Sequence, residues 1–214
     1  MFSRVISYGV KVDEESLADS IELFKFVGGN IDRAIQVAIN KTVPQAKTKA
    51  AKEISTLYNL KSSYVKSKLN VRKANRNLLS GALWAASRGT LLSRFEYGAK
   101  TSLVSGLVTP DVPIRVKVKK QKGGIRTVSG NNATYGKPFL FRLKNARAGG
   151  MSYGIGGWRK TPGPRGGRIE AFYSQSISQI FERVKDEVTP EITEIYQKQI
   201  GLAMNYLLRK QYPS

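Results

Sequence analysis

The side chains able to do chemistry in this sequence are carboxylates, lysines and arginines; it contains no histidine and no cysteine. Without imidazole there is no Ser-His triad, no histidine acid or base and no histidine metal ligand. Without thiolate there is no disulfide and no cysteine metal site. Paired carboxylates can do general acid–base work unaided. Here the acids gather at residues 13–22 and 182–194, at helix starts and on helix faces, where local electrostatics already accounts for them. No G-x-x-x-x-G-K-[ST] loop occurs, and Gly154-Ile155-Gly156-Gly157 is not a G-x-G-x-x-G fingerprint. The sequence therefore implies no enzyme and no cofactor.

The cations are another matter. The chain has 36 Lys and Arg against 15 Asp and Glu, a formal charge of +21, and the excess is segregated. Residues 1–40 carry 4 cations and 6 acids, residues 41–168 carry 27 and 3, and residues 169–214 carry 5 and 6. Only Glu53, Glu96 and Asp111 oppose the basic segment. Self-repulsion of that size opposes folding, and its confinement to one segment points to a polyanion close by, nucleic acid being the usual one. The most regular arrangement lies at 114–119, Ile-Arg-Val-Lys-Val-Lys. Alternation sets Ile114, Val116 and Val118 on one face and Arg115, Lys117 and Lys119 on the other. A one-residue slip would bury three charges, so the register is strongly specified. Lys120, Lys122 and Arg126 continue the row. These six are the candidate contacts to a polyanion. If all reach phosphates, the salt dependence of binding has a log–log slope of about −5 with little sequence preference.

Aromatic residues could add base stacking. Trp84 lies in an apolar run and is expected in the core. Trp158, followed by Arg159-Lys160, is the better contact candidate, or equally an anchor between subunits.

These residues must be carried by helices and strands. Residues 13–26 place Leu17, Ile21 and Phe24 at helical spacing, ended by Gly28-Gly29. Asn30 is placed to cap a second helix whose apolar stripe runs from Ile31 through Ile35, Ala38, Ile39, Val43, Ala46, Ala50 and Ile54 to Leu57. Pro44 predicts a kink or break near Thr42. Ser62–Lys68 reads as a short helix followed by extended chain, so residues 41–76 have the outline of a helix-turn-helix, or of a simple packed hairpin; barely two turns is short for a reading helix.

From residue 77 the period changes to 2. Residues 82–87 and 90–95 flank Arg88-Gly89 as a predicted hairpin. Residues 120–136 read as a loop or long hairpin arm. Residues 138–143 read as a strand with Phe139, Phe141 and Leu143 facing the core. Residues 145–168, with eight glycines and five Lys or Arg, read as a loop ordered by a partner. Residues 174–188 return to helical spacing. Thr189 and Pro190 then fit the N-cap and first position of a separate last helix reaching about Arg209, its stripe including Ile192, Ile195, Tyr196, Ala203, Tyr206 and Leu207. The fold class is α+β: an antiparallel β-sheet in the middle of the chain, packed by helices from the N- and C-terminal regions. Residues 1–29 form a helical extension and residues 30–214 a single domain. No apolar run is long enough to span a membrane.

The order of these segments resembles the minor tail protein Z, or tail completion, family of long-tailed bacteriophages. The resemblance rests on Ala34–Thr42 (AIQVAINKT), Ala46-Lys47-Thr48, Ala51-Lys52-Glu53-Ile54, Val65-Lys66 with Leu69, and Val71-Arg72-Lys73-Ala74. It continues through Ile114–Val118, Pro138–Leu143 and Arg168-Ile169, Phe172-Tyr173 and Ser176-Ile177. It departs from the family at Pro44 and at Tyr173-Ser174-Gln175-Ser176, where the family tends to a Gly-Pro-Ser turn. The resemblance implies a virion structural protein that finishes the tail at the neck, where it joins the DNA-filled head. It would act as a homo-oligomeric ring, six-fold or twelve-fold, among neighbouring tail and neck proteins. Its basic face would make non-specific contact with genomic DNA or meet an acidic neighbouring ring, in the virion and, during assembly, in the host cytoplasm. The alternative reading is a stand-alone nucleic-acid-binding protein that uses residues 41–76 as its module.

Overall fold

The computed structural model describes residues 8–9, 31–98, 107–108, 114–121, 125–128, 134–142, 153–161 and 169–211. The helix expected at 13–26 lies outside these residues, as do Asn30, the expected cap of the second helix, Lys122 and Leu143. The chain falls into two compact units, one drawn from Met1–Ile54, Ser62–Ser87 and Ile177–Ser214, the other from Ser55–Lys61 and Arg88–Ser176. Helices come from both ends of the chain and antiparallel sheets from its centre, an α+β fold.

The first unit contains β1 (Tyr8–Gly9), most of α1 (Ile31–Leu57), α2 (Ser62–Lys68), β2 (Leu69–Arg72), β3 (Ala82–Ala85) and α3 (Ile177–Gln211). The strands form an antiparallel sheet in the order β1-β3-β2, with Leu69 opposite Ala85 and Tyr8 opposite Leu83. The predicted stripe of α1 is buried from Ile35 to Ile54, and Ala34 is buried beside it. Ala34 packs with Ala203 and Met204, Ile39 and Val43 share a cluster with Tyr196, and Ala46 packs with Val188 and Ile192. As residue numbers rise along α1 they fall along α3, so the two helices run antiparallel. Alanines along the seam let the backbones approach. Tyr206, expected in the same stripe, is 68% exposed.

Neither proline ends a helix. No break occurs near Thr42; α1 continues through Pro44 for 27 residues. No new helix starts at Thr189 either; α3 is one helix of 35 residues with Pro190 inside it. A proline removes one helical hydrogen bond, at a cost of about 3 kcal/mol. Burial of Val43 and Ala46 around Pro44, and of Val188 and Ile192 around Pro190, offsets it. Thr42 Oγ1 donates to the Ala38 carbonyl at 2.8 Å, and Thr189 Oγ1 donates to the Lys185 carbonyl at 2.7 Å. Each threonine thus bonds within the turn before its proline instead of capping a new helix.

Among the described residues of the second unit, the regular elements are strands, the end of α1 and one 3-10 turn at Leu92–Arg94. It contains β4 (Gly89–Leu91), β5 (Glu96–Gly98), β6 (Leu107–Val108), β7 (Arg115–Lys117), β8 (Ile125–Thr127), β9 (Tyr135–Arg142), β10 (Tyr153–Arg159), β11 (Ile169–Ala171) and β12 (Tyr173–Ser176). Among the described residues they form three antiparallel sheets, β11-β10-β9-β6, β12-β4 and β5-β7-β8.

The hairpin predicted across Arg88-Gly89 is therefore wrong: β3 pairs with β1 and β2, and β4 pairs with β12. The strand predicted to start at Pro138 starts at Tyr135, and Leu140 is as buried as Phe139, so both faces of β9 are covered. The loop predicted over 145–168 holds the seven-residue strand β10, whose Gly154, Ile155, Gly156 and Gly157 are all buried. These glycines contribute to a core by leaving room. A Cβ at Gly154 would meet the Phe141 ring at 2.6 Å, and one at Gly157 would meet Phe172 Cζ at 2.9 Å. The aromatic rings of β9 and of Phe172 occupy the volume that side chains would have taken. Among the described residues, no helix is long and apolar enough to cross a membrane.

Candidate polyanion-contact surface

The basic strand β7 is the middle strand of its sheet. On one side Gly98 pairs with Arg115 and Glu96 with Lys117; on the other Arg115 pairs with Thr127 and Lys117 with Ile125. Beyond β7 the chain is held by the end of α1. The Asn59 N–H donates to the Val118 carbonyl and the Lys120 N–H to the Leu57 carbonyl, both at 3.0 Å, and Asn59 Nδ2 donates to the Lys117 carbonyl at 3.0 Å. The backbone carrying the candidate cations is thus pinned along its length.

The alternation follows the sequence pattern from Ile114 to Val116 and fades after it, where Lys117 and Val118 are both half-buried. Ile114 and Val116 are each 1% exposed. Arg115, Lys119 and Lys120 are exposed and Lys117 is half-buried. Lys119 Nζ lies 6.0 Å from the ring centre of Tyr58, which is itself buried, a cation–π contact that orients the lysine stem. Arg126 is in β8, paired in register with Val116, so it occupies the register position of the buried face while Arg115 and Lys117 occupy the other. Glu96, one of the few acids in the basic segment, is the cross-strand partner of Lys117 by register. Periodicity could not reveal Tyr58 and Asn59 as supports of this strand, because they approach it from far along the chain.

Of the two tryptophans, Trp84 is half-buried and Trp158 is 46% exposed. Trp158 pairs with Ile169, 41% exposed, and its ring lies 5.9 Å from that of Phe139.

Glu170, Glu182 and Glu191 are engaged in pairing. Glu191 meets Lys49 at 2.8 Å and Glu182 meets Lys185 at 2.6 Å. In the second unit the Tyr135 hydroxyl and the Arg159 guanidinium both donate to Glu170 Oε2 at 2.9 Å, tying β9, β10 and β11 together. Those two bonds, Tyr135's first, hold the Glu170 carboxyl below its usual value of 4.5. The hydrogen bond to Lys49, with its charge, does the same to Glu191. A lowered value is the wrong direction for a general acid.

The Glu170 network has a defined pH dependence. A carboxyl lowered by folding stabilises the fold above its unfolded value, and the contribution is lost as pH falls through the lowered value. The Tyr135 phenol is raised, first by its hydrogen bond to Glu170 and then by burial, so its contribution is lost as pH rises through that raised value. Glu170→Gln should therefore lower the urea midpoint at neutral pH and match the parent in acid. The gap should not exceed about 1 kcal/mol, because the Glu170 side chain is 44% exposed. An equal gap at neutral and acid pH would show that the carboxylate charge is not what the network uses.

Comparison with curated proteins and with solved structures gives no match. The family model for prophage minor tail protein Z (GPZ) matches residues 17–212, starting inside the segment that the sequence reading set apart as an extension; the chain belongs to that family.

Proposed function

We propose that this phage tail protein completes the tail at the head–tail junction as a ring, six-fold or twelve-fold, with the Arg115, Lys117 and Lys119 face turned toward the DNA. Lys120 extends that face, and Lys122 continues it in sequence. The observation that carries the reading is the division along one pinned stretch: Ile114 and Val116 are 1% exposed while Arg115 and Lys119 stand in solvent. Cations carried on a pinned backbone can meet phosphates, and such contacts position a polymer without reading its sequence. A structural ring needs no active site, and the paired carboxylates supply none. Family membership supports a structural role in the tail.

The test replaces Arg115, Lys117 and Lys119 together with Gln. None of the three is buried, so the variant should fold. Its binding to mixed-sequence duplex DNA should lose about 2.7 from the log–log salt slope, roughly 0.9 for each phosphate released. If the folded variant binds DNA as the parent does yet fails to complete tails, the face meets an acidic protein ring instead. If it also completes tails, the face is merely solvated.

A further inference from the structure

A second basic feature lies in the first unit. Residues 54–95 contain eight Lys or Arg and no Asp or Glu. Arg72 at the end of β2, and Lys73 and Arg76 in the turn that follows, are exposed, and none makes an ion pair among the described residues. Lys68, at the end of α2, is exposed as well.

The turn that carries them is built to hold its shape. Asn40 in α1 donates through Nδ2 to the Ala74 carbonyl at 3.1 Å and accepts the Ala74 N–H at 2.8 Å. Gln36 Nε2 donates to the same carbonyl at 3.3 Å. Asn75 Oδ1 accepts the N–H groups of Asn77 at 3.0 Å and Leu78 at 2.8 Å. Asn75 and Leu78 also exchange backbone bonds at 3.0 and 3.2 Å. Ala74 is buried at 5% against the Ile39 and Val43 cluster, so the backbone is anchored inward while the charges point out.

We infer that this turn is a second DNA-contact site, in which Arg72, Lys73 and Arg76 engage the phosphate backbone of a duplex. Two observations favour phosphate over an acidic protein. A protein interface of ordinary size has an apolar centre, and between Lys66 and Leu78 the one large apolar side chain that is exposed is Leu78, at 45%. The charges are also of one sign on a fixed backbone, which suits a regular array of phosphates and needs no apolar centre. Leu78, at the end of the turn, can lie against sugar or a base edge. The site lies in the other unit from β7 and uses none of its residues, so it goes beyond the ring proposal, though it shares the premise that DNA is close.

The experiment titrates the full chain against a labelled mixed-sequence duplex over a range of KCl concentrations. Arg72→Gln/Lys73→Gln/Arg76→Gln is compared with the parent and with the Arg115, Lys117 and Lys119 variant. The turn variant should show a slope shallower by about 2.7 and affinity on the order of a hundred-fold weaker at physiological salt, on any duplex sequence. Arg76→Gln alone, at the tip, should lose about 0.9 of slope and guards against a misfolded triple variant. An unchanged slope in either, with circular dichroism and urea midpoint preserved, overturns the inference. If only the β7 variant loses slope, the turn inference fails and the ring proposal stands; the converse leaves the turn and removes the strand face. A parent that binds polyglutamate as tightly as duplex, with the turn variant losing both equally, would also overturn it, because the site would then be one for acidic protein.

Discussion

Gly156→Ala is expected to destabilise the second unit by about 3 kcal/mol, the upper end of the usual cost of overpacking a filled site. The added methyl would be driven onto the backbone carbonyl oxygen of Glu170 and would meet Phe141 Cε1 at 2.7 Å. A side chain can rotate away from such a contact; a carbonyl engaged in the β10–β11 pairing cannot. Gly201→Ala is the control of opposite sign. Gly201 is exposed within α3 with nothing within 4 Å of an added Cβ, so alanine should stabilise the helix by about 1 kcal/mol. The two tryptophans allow the units to be followed separately, since Trp84 lies in the first and Trp158 in the second. In a Trp84→Phe background, urea unfolding read by Trp158 reports the second unit. No fall in its midpoint on Gly156→Ala would mean that β11 does not pack on β10 as described.

The largest loss from a truncation is expected at Phe139→Ala, about 3–5 kcal/mol. Phe139 is 1% exposed, with its ring centre 6.1 Å from that of Phe141 and 5.9 Å from that of Trp158. Its cross-strand partner is Gly156, which has no side chain to move into the space. A cavity whose wall is glycine backbone collapses little, which favours the upper half of the range. The same substitution removes a neighbour of the Trp158 ring and should shift its emission in the folded state. A loss under about 1 kcal/mol would indicate a site that repacks freely, contrary to the rigidity that β10 requires.

What could be read from the sequence was what local periodicity encodes. The stripe of α1, the short helix Ser62–Lys68 and the alternation at 114–116 all follow from side-chain spacing and hold, while Lys117 and Val118 are both half-buried. What could not be read depended on partners distant in sequence. Residues 82–95 look like a hairpin because two short apolar runs flank Arg88-Gly89, yet β4 takes β12 as its partner. Strand β10 looks like a loop because glycine has no propensity for a strand; its order comes from Phe141, Tyr135 and Phe172, which fill the space above the glycines. Thr189-Pro190 carries a valid start signal, overridden by the burial of Val188 and Ile192 on either side. Of the six candidate cations, Arg115, Lys117, Lys119 and Lys120 fall on one pinned stretch. Arg126 takes the register position opposite Val116, because alternation restarts in a new strand with a phase that the loop sets. The turn at 72–78 gave no periodic signal; its clue was the absence of acids over residues 54–95.

The central claim, that this protein completes the tail at its junction with the head, is tested most directly by electron microscopy of particles assembled without it. Full-length tails and DNA-filled heads are expected, few joined and none infectious, with infectivity restored by the parent chain and not by the Arg115, Lys117 and Lys119 variant. Joined, infectious particles in its absence, or an absence of tails altogether, would contradict it.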